Sequence, residues 1–281
     1  MGWYSDNLLK LKSADISNAE GELCALIEFI SGISYSEILK KRLLAKTNED
    51  CILDIIPKTK VEKLSELVCL RVGGEPLQYI TGKTDFYGYE FFCKKGVLIP
   101  RFDTETLIDT ALEVLNKGDI VLDLCCGSGC IGITLALEKN ITLTLADISP
   151  DAVSLTTKNA DYHGVNAEII FHDVFNDKLN KQYNVIVCNP PYIETNEINT
   201  LSKDVQNEPA LALDGGADGF CFYRYIISNY KYALKSGGYL IFECGINQAP
   251  QIAAMLENSG YKDIIIKKDY ANIERVLICK L

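Results

Sequence analysis

Short apolar runs alternate with helical stretches over the second half of the chain. Each run is only four to six residues long and ends in polar or glycine-containing segments, as buried strands do. Helical stretches separate the first five runs, which is typical of a parallel sheet covered by helices on both faces. No long helix fits between the last two runs, so they predict a hairpin at the sheet edge. The seven predicted strands are Ile120 to Leu124, Thr142 to Ala146, Glu168 to Phe171, Asn184 to Cys188, Gly238 to Glu243, Asp263 to Lys267 and Arg275 to Lys280.

The first 75 residues have helical periodicity and no strand pattern. Apolar residues recur at helical spacing from Leu64 to Val72, where Gly73 and Gly74 end the run. Capping-box patterns at Ser34 to Glu37 and at Thr59 to Glu62 mark two helix starts. This segment therefore predicts a small helical domain.

Between the helical segment and the sheet, aromatic and β-branched runs at Gln78 to Thr81 and Tyr89 to Phe92 predict a β-hairpin. A helix is expected to open at Asp103 to Thr106 and to reach Lys117, with Gly118 at its end. We therefore predict an α/β protein with a helical domain at 1–75, a β-hairpin linker at 76–96 and a sheet domain at 97–281.

Charge and hydropathy narrow the class of protein. The formal net charge of −10 argues against a protein that grips many phosphates, so no direct nucleic-acid partner is expected. No apolar run approaches the roughly 20 residues of a membrane span, and the N-terminal residues lack the basic and apolar regions of a signal peptide. A cytoplasmic monomer without a membrane partner is the expectation.

The 11 cysteines favour free thiols over disulfides. Their number is odd, and several lie in apolar runs, such as Cys69, Cys188, Cys244 and Cys279. The chain has no Cys-x-x-Cys spacing and only two histidines, so a metal site has few possible ligands. We expect no metal.

A glycine-rich loop joins the first predicted strand to its helix, from Asp123 to Gly132. Glycines let the backbone approach a ligand closely at a helix N-terminus, where free N–H groups gather. The spacing, followed by Asp147 at the end of the second strand, fits two cofactors: a nicotinamide dinucleotide and S-adenosylmethionine. The negative charge of Asp123 suits a cationic amino-acid cofactor better than a pyrophosphate.

Two acidic residues at strand ends are candidates for contacts with the nucleoside. Asp147 stands in the usual ribose position, and Asp173 could accept a hydrogen bond from the adenine amine, with Val174 against the ring. The alternative for both is that they cap the following helix.

Asn189-Pro190-Pro191-Tyr192 follows the fourth predicted strand and is the strongest candidate for chemistry. Prolines cannot donate to the sheet and hold the preceding residue extended. The Asn189 side-chain oxygen and the Pro190 carbonyl could accept both hydrogens of a planar amide or amine, whose face the Tyr192 ring would cover. The nitrogen lone pair would remain free. An ordinary strand-to-loop turn is the alternative.

Taken together, these motifs resemble the HemK/PrmC family of methyltransferases over nearly the whole chain. That family methylates the side-chain amide of the glutamine in the Gly-Gly-Gln motif of peptide chain release factors. The most specific matching segments are Gly74 to Gly82, Phe86 to Gly88 and Val97 to Glu105. Further matches are Asp123 to Gly129, Ala146 to Ser149, Asn189 to Ile193, and Glu208-Pro209 through Asp214 to Gly219.

The resemblance implies a Rossmann-like core of seven strands, S-adenosylmethionine as cofactor with S-adenosylhomocysteine as product, and an N-terminal bundle that recognises the release factor. It assigns Asp147 to the ribose and Val174 to the adenine. Asn189, Pro190 and Tyr192 would be catalytic, Pro191 would join them in holding the glutamine, and Asn189 would also border the cofactor. The cofactor loop would be Cys125, Cys126, Gly127, Ser128 and Gly129.

The chain departs from the family at a few positions, and other functions stay open. Cys125 and Cys126 stand where relatives often have glycine and threonine, Val174 where an aromatic is common, and Asn272 where glycine is frequent. The alternatives are methylation of a ribosomal-protein glutamine or of a nucleic-acid base, a nicotinamide-dependent oxidoreductase, and an idle core that only binds a partner. The Pro100 to Glu105 segment favours a release factor, and the acidic charge disfavours nucleic acid.

Overall fold

The computed structural model describes residues 2–44 and 56–281. The chain divides into two compact units, Met1–Gly82 with Lys203–Asn207 and Lys83–Ser202 with Glu208–Leu281. Residues 45–55 of the predicted helical domain, including Cys51, lie outside the described residues.

The first unit is helical. Its apolar core contains Leu11, Leu23, Ile27, Leu64 and Val68, all fully buried. The segment Lys203–Asn207 belongs to this unit, where the Asn207 Nδ2 donates to the Gly74 carbonyl at 2.9 Å. The helices from the N-terminal part are α1 (Trp3–Ser13), α2 (Ala19–Ser31), α3 (Tyr35–Leu44), α4 (Lys58–Val72) and α5 (Leu77–Thr81).

The two predicted helix caps have different outcomes. The Ser34 Oγ accepts from the Glu37 amide at 3.4 Å, which confirms one half of the first capping box. The second prediction is wrong, because α4 begins at Lys58, one residue before Thr59. Pro57 is the N-cap there, with a fixed φ that leads directly into the helix.

The predicted strand at Gln78 to Thr81 is also wrong, since these residues lie in α5. Pro76 precedes this short helix and Gly82, with φ +78°, ends it. The hairpin consists instead of β1 (Lys83–Phe86) and β2 (Tyr89–Phe92), which pair antiparallel. Its turn uses Tyr87 and Gly88, both in the left-handed region, which suits a tight two-residue hairpin.

The second unit contains a seven-stranded sheet with the order β5-β4-β3-β6-β7-β9-β8. Its first five strands in chain order, β3 to β7, pair in parallel, and its last two, β8 and β9, form an antiparallel pair at the edge. This confirms the predicted Rossmann-like fold. The strands are β3 (Ile120–Leu124), β4 (Thr142–Asp147), β5 (Ala167–Phe171), β6 (Tyr183–Cys188), β7 (Leu234–Glu243), β8 (Lys262–Lys268) and β9 (Glu274–Lys280).

Helices cover both faces of this sheet. Leu122 and Leu124 of β3 pack into one apolar core, and Val121 packs into another, as alternating side chains of a strand must. The remaining helices are α6 (Glu105–Val114), α7 (Cys130–Glu138), α8 (Pro150–His163), α9 (Lys203–Gln206), α10 (Cys221–Asn229) and α11 (Ala249–Asn258), of which α9 lies in the first unit.

Helix α6 is shorter than predicted. A 3-10 turn at Phe102–Thr104 precedes it, and it ends at Val114 because Leu115 adopts an extended conformation. Gly118, expected to end the helix, has φ +88° and donates its N–H to the Asn140 carbonyl at 2.7 Å. It therefore shapes the turn into β3.

The ten cysteines that the structure describes are free thiols. Cys188, Cys244 and Cys279 are buried as predicted, whereas the prediction for Cys69 is wrong because it lies on the exposed side of α4. Within residues 2–44 and 56–281, no helix is both long and apolar enough to cross a bilayer.

A buried ion pair in the helical unit provides the first testable prediction. Arg71 is 8 % exposed and donates to the Glu22 carboxylate. We expect Glu22→Ala to lower the free energy of unfolding by about 3 kcal/mol, because it leaves a buried charge without its main partner. Lys63→Ala breaks an exposed pair with Glu66 and should change it by less than about 0.5 kcal/mol.

Urea denaturation followed by tryptophan fluorescence measures both effects. Trp3 is the single tryptophan of the chain and packs against the core of the helical unit, so its signal reports on that unit. Equal losses for the two variants would contradict the assignment.

Candidate active site

Four strand ends meet at one edge of the sheet. In the parallel register, Leu124 of β3 lies opposite both Ala146 of β4 and Cys188 of β6, and Asp147 lies opposite Phe171 of β5. The chain order reverses here, because β4 and β6 flank β3 on opposite sides. Such switch points are where open α/β sheets bind ligands. A cavity of about 220 Å³ lies at this edge and includes residues that follow all four strands.

The glycine-rich loop has the backbone shape that the sequence predicts. Cys125, Gly127 and Gly129 all have positive φ, between 57° and 79°. A Cβ on Gly129 would lie 2.9 Å from the Ile133 Cδ1, so only glycine fits. A Cβ on Gly127 would meet only the Val97 Cγ1 at 3.9 Å, which leaves room for a ligand beside this backbone.

Asp147 fastens this loop to the start of α8. Its Oδ2 accepts from the Gly127 amide at 2.8 Å and its Oδ1 from the Ser149 amide at 2.9 Å. Desolvation raises the pKa of this carboxyl above its ordinary value, despite these hydrogen bonds. Asp147 also lines the cavity, and its carboxylate keeps a lone pair for a ligand hydroxyl.

Asp173 and Val174 line the cavity from the end of β5. The Asp173 carboxylate accepts from the Asn176 side chain and from the Phe175 amide, both at 2.8 Å. The hydrogen bond from Asn176 is the main reason why the pKa of Asp173 is lowered. Asp173 thus caps a turn and not a helix, since β6 is the next element of the chain, and it borders the cavity beside the buried Val174.

Asn189 and Pro191 line the cavity from the end of β6. The Asn189 Nδ2 donates to the Thr104 Oγ1 across 3.5 Å, a long hydrogen bond. Pro190 is buried behind the cavity wall. Tyr192 packs against the apolar core, and its carbonyl accepts from the Gln248 Nε2 at 3.0 Å.

The structure therefore brings most predicted site residues together, but it places three behind the wall. In the described chain, the cavity wall includes neither Gly129 nor Pro190 nor Tyr192. It does include Cys125, Cys126, Gly127, Ser128, Asp147, Asp173, Val174, Asn189 and Pro191.

Asp123 does not have the surroundings that the sequence analysis expects. It is fully buried, and its Oδ2 accepts from the Gly132 amide at 2.8 Å. Its Oδ1 has no hydrogen-bond partner among the described residues. Desolvation raises the pKa of this carboxyl to about 7. Asp123 thus anchors the first turn of α7. It does not line the cavity, so its carboxylate does not face the space that a cationic cofactor would occupy.

Sequence reasoning missed the wall formed by residues 96–104. Ile99 donates its N–H to the Glu208 Oε2 at 2.9 Å, and Arg101 forms an ion pair with the same buried carboxylate. Thr104 completes this wall beside Asn189. The charged residues of the Pro100 to Glu105 segment and Glu208 are visible in the sequence. No sequence pattern, however, indicates that the two segments contact each other.

The lining residues fit one of the two candidate cofactors better. Arg101 is the one lysine or arginine among the described residues that line the cavity, and Glu208 already neutralises it. A pyrophosphate would therefore lie near Asp147 without a free cation. The apolar surface of Val174, the carboxylate of Asp147 and the open space beside Gly127 fit the adenine, the ribose and the amino-acid part of S-adenosylmethionine.

Comparisons with known proteins agree with this choice. Residues 96–216 match the family model of the methyltransferase small domain. The release factor glutamine methyltransferase of Clostridium acetobutylicum is 38% identical over 88% of this chain and 89% of its own length. The one from Salmonella typhimurium is 32% identical over 98% and 96%.

Among solved structures, a methyltransferase from Pyrococcus furiosus superimposes with a TM-score of 0.52 at 15% identity. It covers 69% of this chain and 89% of its own. This likeness concerns the fold alone.

The buried Asp123 predicts a pH-dependent stability. Its pKa is raised to about 7 in the folded protein, so the folded state holds a proton that the unfolded state releases near pH 4. Stability should therefore fall as pH rises towards 7. Asp123→Asn can still accept from the Gly132 amide but cannot titrate. We expect the difference in unfolding free energy between wild type and variant to fall by about 1.4 kcal/mol per pH unit between pH 5 and 7.

Urea unfolding followed by circular dichroism at several pH values checks this. Above pH 8 the difference should be constant, because the carboxyl is then ionised in both states. A difference that does not change from pH 5 to 8 would show that Asp123 is ionised in the folded protein.

Proposed function

The chain belongs to the release factor glutamine methyltransferase family, and we propose that it methylates the side-chain amide nitrogen of the Gly-Gly-Gln glutamine in a peptide chain release factor. The observation that carries this proposal is the position of Asn189. Its carboxamide lies in the cavity wall at the end of β6, next to the glycine-rich loop that follows β3. An amide-binding group and a cofactor loop thus share one cavity.

S-adenosylmethionine supplies a methyl group on a positively charged sulfur and leaves as S-adenosylhomocysteine. Asp147 is proposed to accept from the ribose hydroxyls, and Asp173 and Val174 to hold the adenine. The loop from Cys125 to Gly129 is proposed to cradle the amino-acid part. Their places along the cavity support these roles.

The glutamine is proposed to bind through two acceptors, the Asn189 Oδ1 and the Pro190 carbonyl. An amide nitrogen is a poor nucleophile because its lone pair is shared with the carbonyl. As the nitrogen gains positive character in the transition state, hydrogen bonds from its two hydrogens strengthen, and this differential stabilisation raises the rate. The ring of Pro190 is buried, but its carbonyl adjoins Pro191, which lines the cavity.

The ring of Tyr192 is proposed to support the site from outside the cavity wall. It packs beside Gly245, where a Cβ would lie 3.1 Å from the Tyr192 Cδ2, and it lies behind the wall of the described cavity. Burial raises the pKa of its hydroxyl, so Tyr192 is neutral. The packing supports a role in holding the Asn189 turn in place.

The helical unit is proposed to recognise the release factor. Several large apolar side chains of this unit are exposed, as docking surfaces require: Leu9, Phe29, Tyr35, Leu43 and Leu70. The net charge of −10 disfavours a nucleic-acid partner, and a monomer remains the prediction.

Incubation with S-adenosylmethionine and a release factor, followed by peptide mass mapping, tests the proposed function. We expect one added methyl group on the Gly-Gly-Gln glutamine and none on a release factor in which that glutamine is replaced. A ribosomal protein and an adenine-containing DNA duplex serve as competing substrates. Methylation of either one in preference to the release factor would contradict the proposal.

A substitution of Asn189 tests the substrate contact. Asn189→Ala should lower turnover about a hundredfold, because it removes one transition-state acceptor. It should leave S-adenosylmethionine affinity within about twofold by calorimetry, since other residues hold the cofactor. Asn196→Ala removes an exposed asparagine from the following loop and is the matched control. Near-normal turnover of the Asn189 variant would defeat the assignment.

A further inference from the structure

A buried carboxyl group lies beside Asn189 on the neighbouring strand. Phe242 of β7 pairs with Cys188, the last residue of β6. The residues that follow them in the chain, Glu243 and Asn189, therefore lie side by side. Glu243 is 1 % exposed. Its Oε2 has no hydrogen-bond partner among the described residues. Burying a carboxyl group with one unpaired oxygen is costly, so its presence beside Asn189 calls for an explanation.

Thr104 connects this carboxyl to the proposed catalytic amide. Thr104 is 2 % exposed, and its Oγ1 accepts from the Asn189 Nδ2 at 3.5 Å. A threonine hydroxyl that accepts one hydrogen bond still has a hydrogen to donate. Both Thr104 and Asn189 favour the ionised form of Glu243 as hydrogen-bond donors to it. Carboxylate, hydroxyl and amide therefore form one small cluster.

This cluster decides which end of the Asn189 carboxamide faces the substrate. The Nδ2 can only donate, and the Oδ1 can only accept. Neighbours that accept hydrogen bonds hold the Nδ2, so the Oδ1 is turned away from them. The proposed reaction needs the Asn189 oxygen to face the glutamine amide. An ionised Glu243 and the Thr104 oxygen both favour this orientation, because each accepts a hydrogen bond from the Nδ2.

We propose that Glu243, together with Thr104, is a positioning residue that holds the Asn189 side chain with its oxygen towards the substrate amide. This inference rests on the proposed function. A protonated Glu243 would have an O–H to donate, and it could then hold the Asn189 oxygen instead. Turnover should therefore depend on the ionisation of Glu243.

The surroundings of Glu243 place its titration near neutrality. Its pKa is raised to about 7, mainly by desolvation and to a smaller extent by the negative charge of Asp103. Arg275 of β9 opposes this shift, although Asp103 and Asp269 already pair with it. The other titratable neighbours are neutral, since burial raises the pKa of each: Cys130, Tyr192, Tyr223 and Cys244.

Glu243→Gln tests the proposal with little change of shape. Its amide can donate to the Asn189 oxygen, so we expect kcat to fall ten- to a hundredfold, about the rate equivalent of one charge-assisted hydrogen bond. The affinity for S-adenosylmethionine by calorimetry should stay within about twofold, which also shows that the variant folds. Glu257→Gln, an exposed change on α11, is the matched control.

The pH profile separates positioning from a merely structural role. Wild-type kcat should fall about tenfold from pH 8 to pH 6, as Glu243 takes up a proton. In Glu243→Gln this fall should disappear. Thr104→Val should also lower kcat, while Thr104→Ser, which keeps the hydroxyl, should restore most of it. A Glu243→Gln enzyme with wild-type kcat and an unchanged pH profile would overturn the inference.

An NMR measurement on the protein without substrate keeps this test separate from that of the proposed function. The Asn189 side-chain amide signal should shift as Glu243 titrates, and this shift should vanish in Glu243→Gln. A signal that is the same in both proteins at every pH would overturn the positioning role. If the wild type methylates no release factor while the signal does shift, the proposed function fails and the contact between Glu243 and Asn189 stands.

Discussion

The parallel pairing of β3 with its two neighbours is the constraint on which the candidate site depends. Leu124 lies opposite Ala146 on one side and Cys188 on the other. Cys125, Asp147 and Asn189, which follow these three residues, therefore lie at the same level of this edge. A register slip of one residue would turn the buried apolar side chains of β3 to the opposite face, so the packing of the two cores fixes this alignment.

The same edge of the sheet contains two buried acidic groups, Asp123 and Glu243, each with one oxygen that lacks a partner among the described residues. Their pKa values are raised to about 7 because burial disfavours the charged form. Both residues therefore oppose folding once they ionise. Asp123 holds the helix behind the cofactor loop, and Glu243 lies next to the amide-binding residue. These two carboxyl groups thus lower the stability of the fold at the edge of the sheet where the reaction is proposed to occur.

The sequence predicted those elements whose signals are local. Buried strands such as Ile120–Leu124 have apolar runs with clear ends, and the ends of parallel strands meet at one edge, so Asp147 and Asn189 could be placed together. The strand prediction for Gln78 to Thr81 is wrong because four residues are too few to show a period, and the flanking Pro76 and Gly82 favour a short helix. Glu243 could not be assigned, because its position beside Asn189 depends on β7 being the neighbour of β6.

The segment Lys203–Asn207 has a consequence for how this protein can be divided. It folds with the residues before Gly82, where Asp204 lies 3.7 Å from Arg71 and Asn207 binds Gly74. The backbone therefore passes from one unit to the other three times, after residues 82, 202 and 207. A recombinant fragment starting at Lys83 would contain α9 without the residues that α9 packs against. Chimeras that exchange the helical unit between homologues must transplant this internal pentapeptide as well.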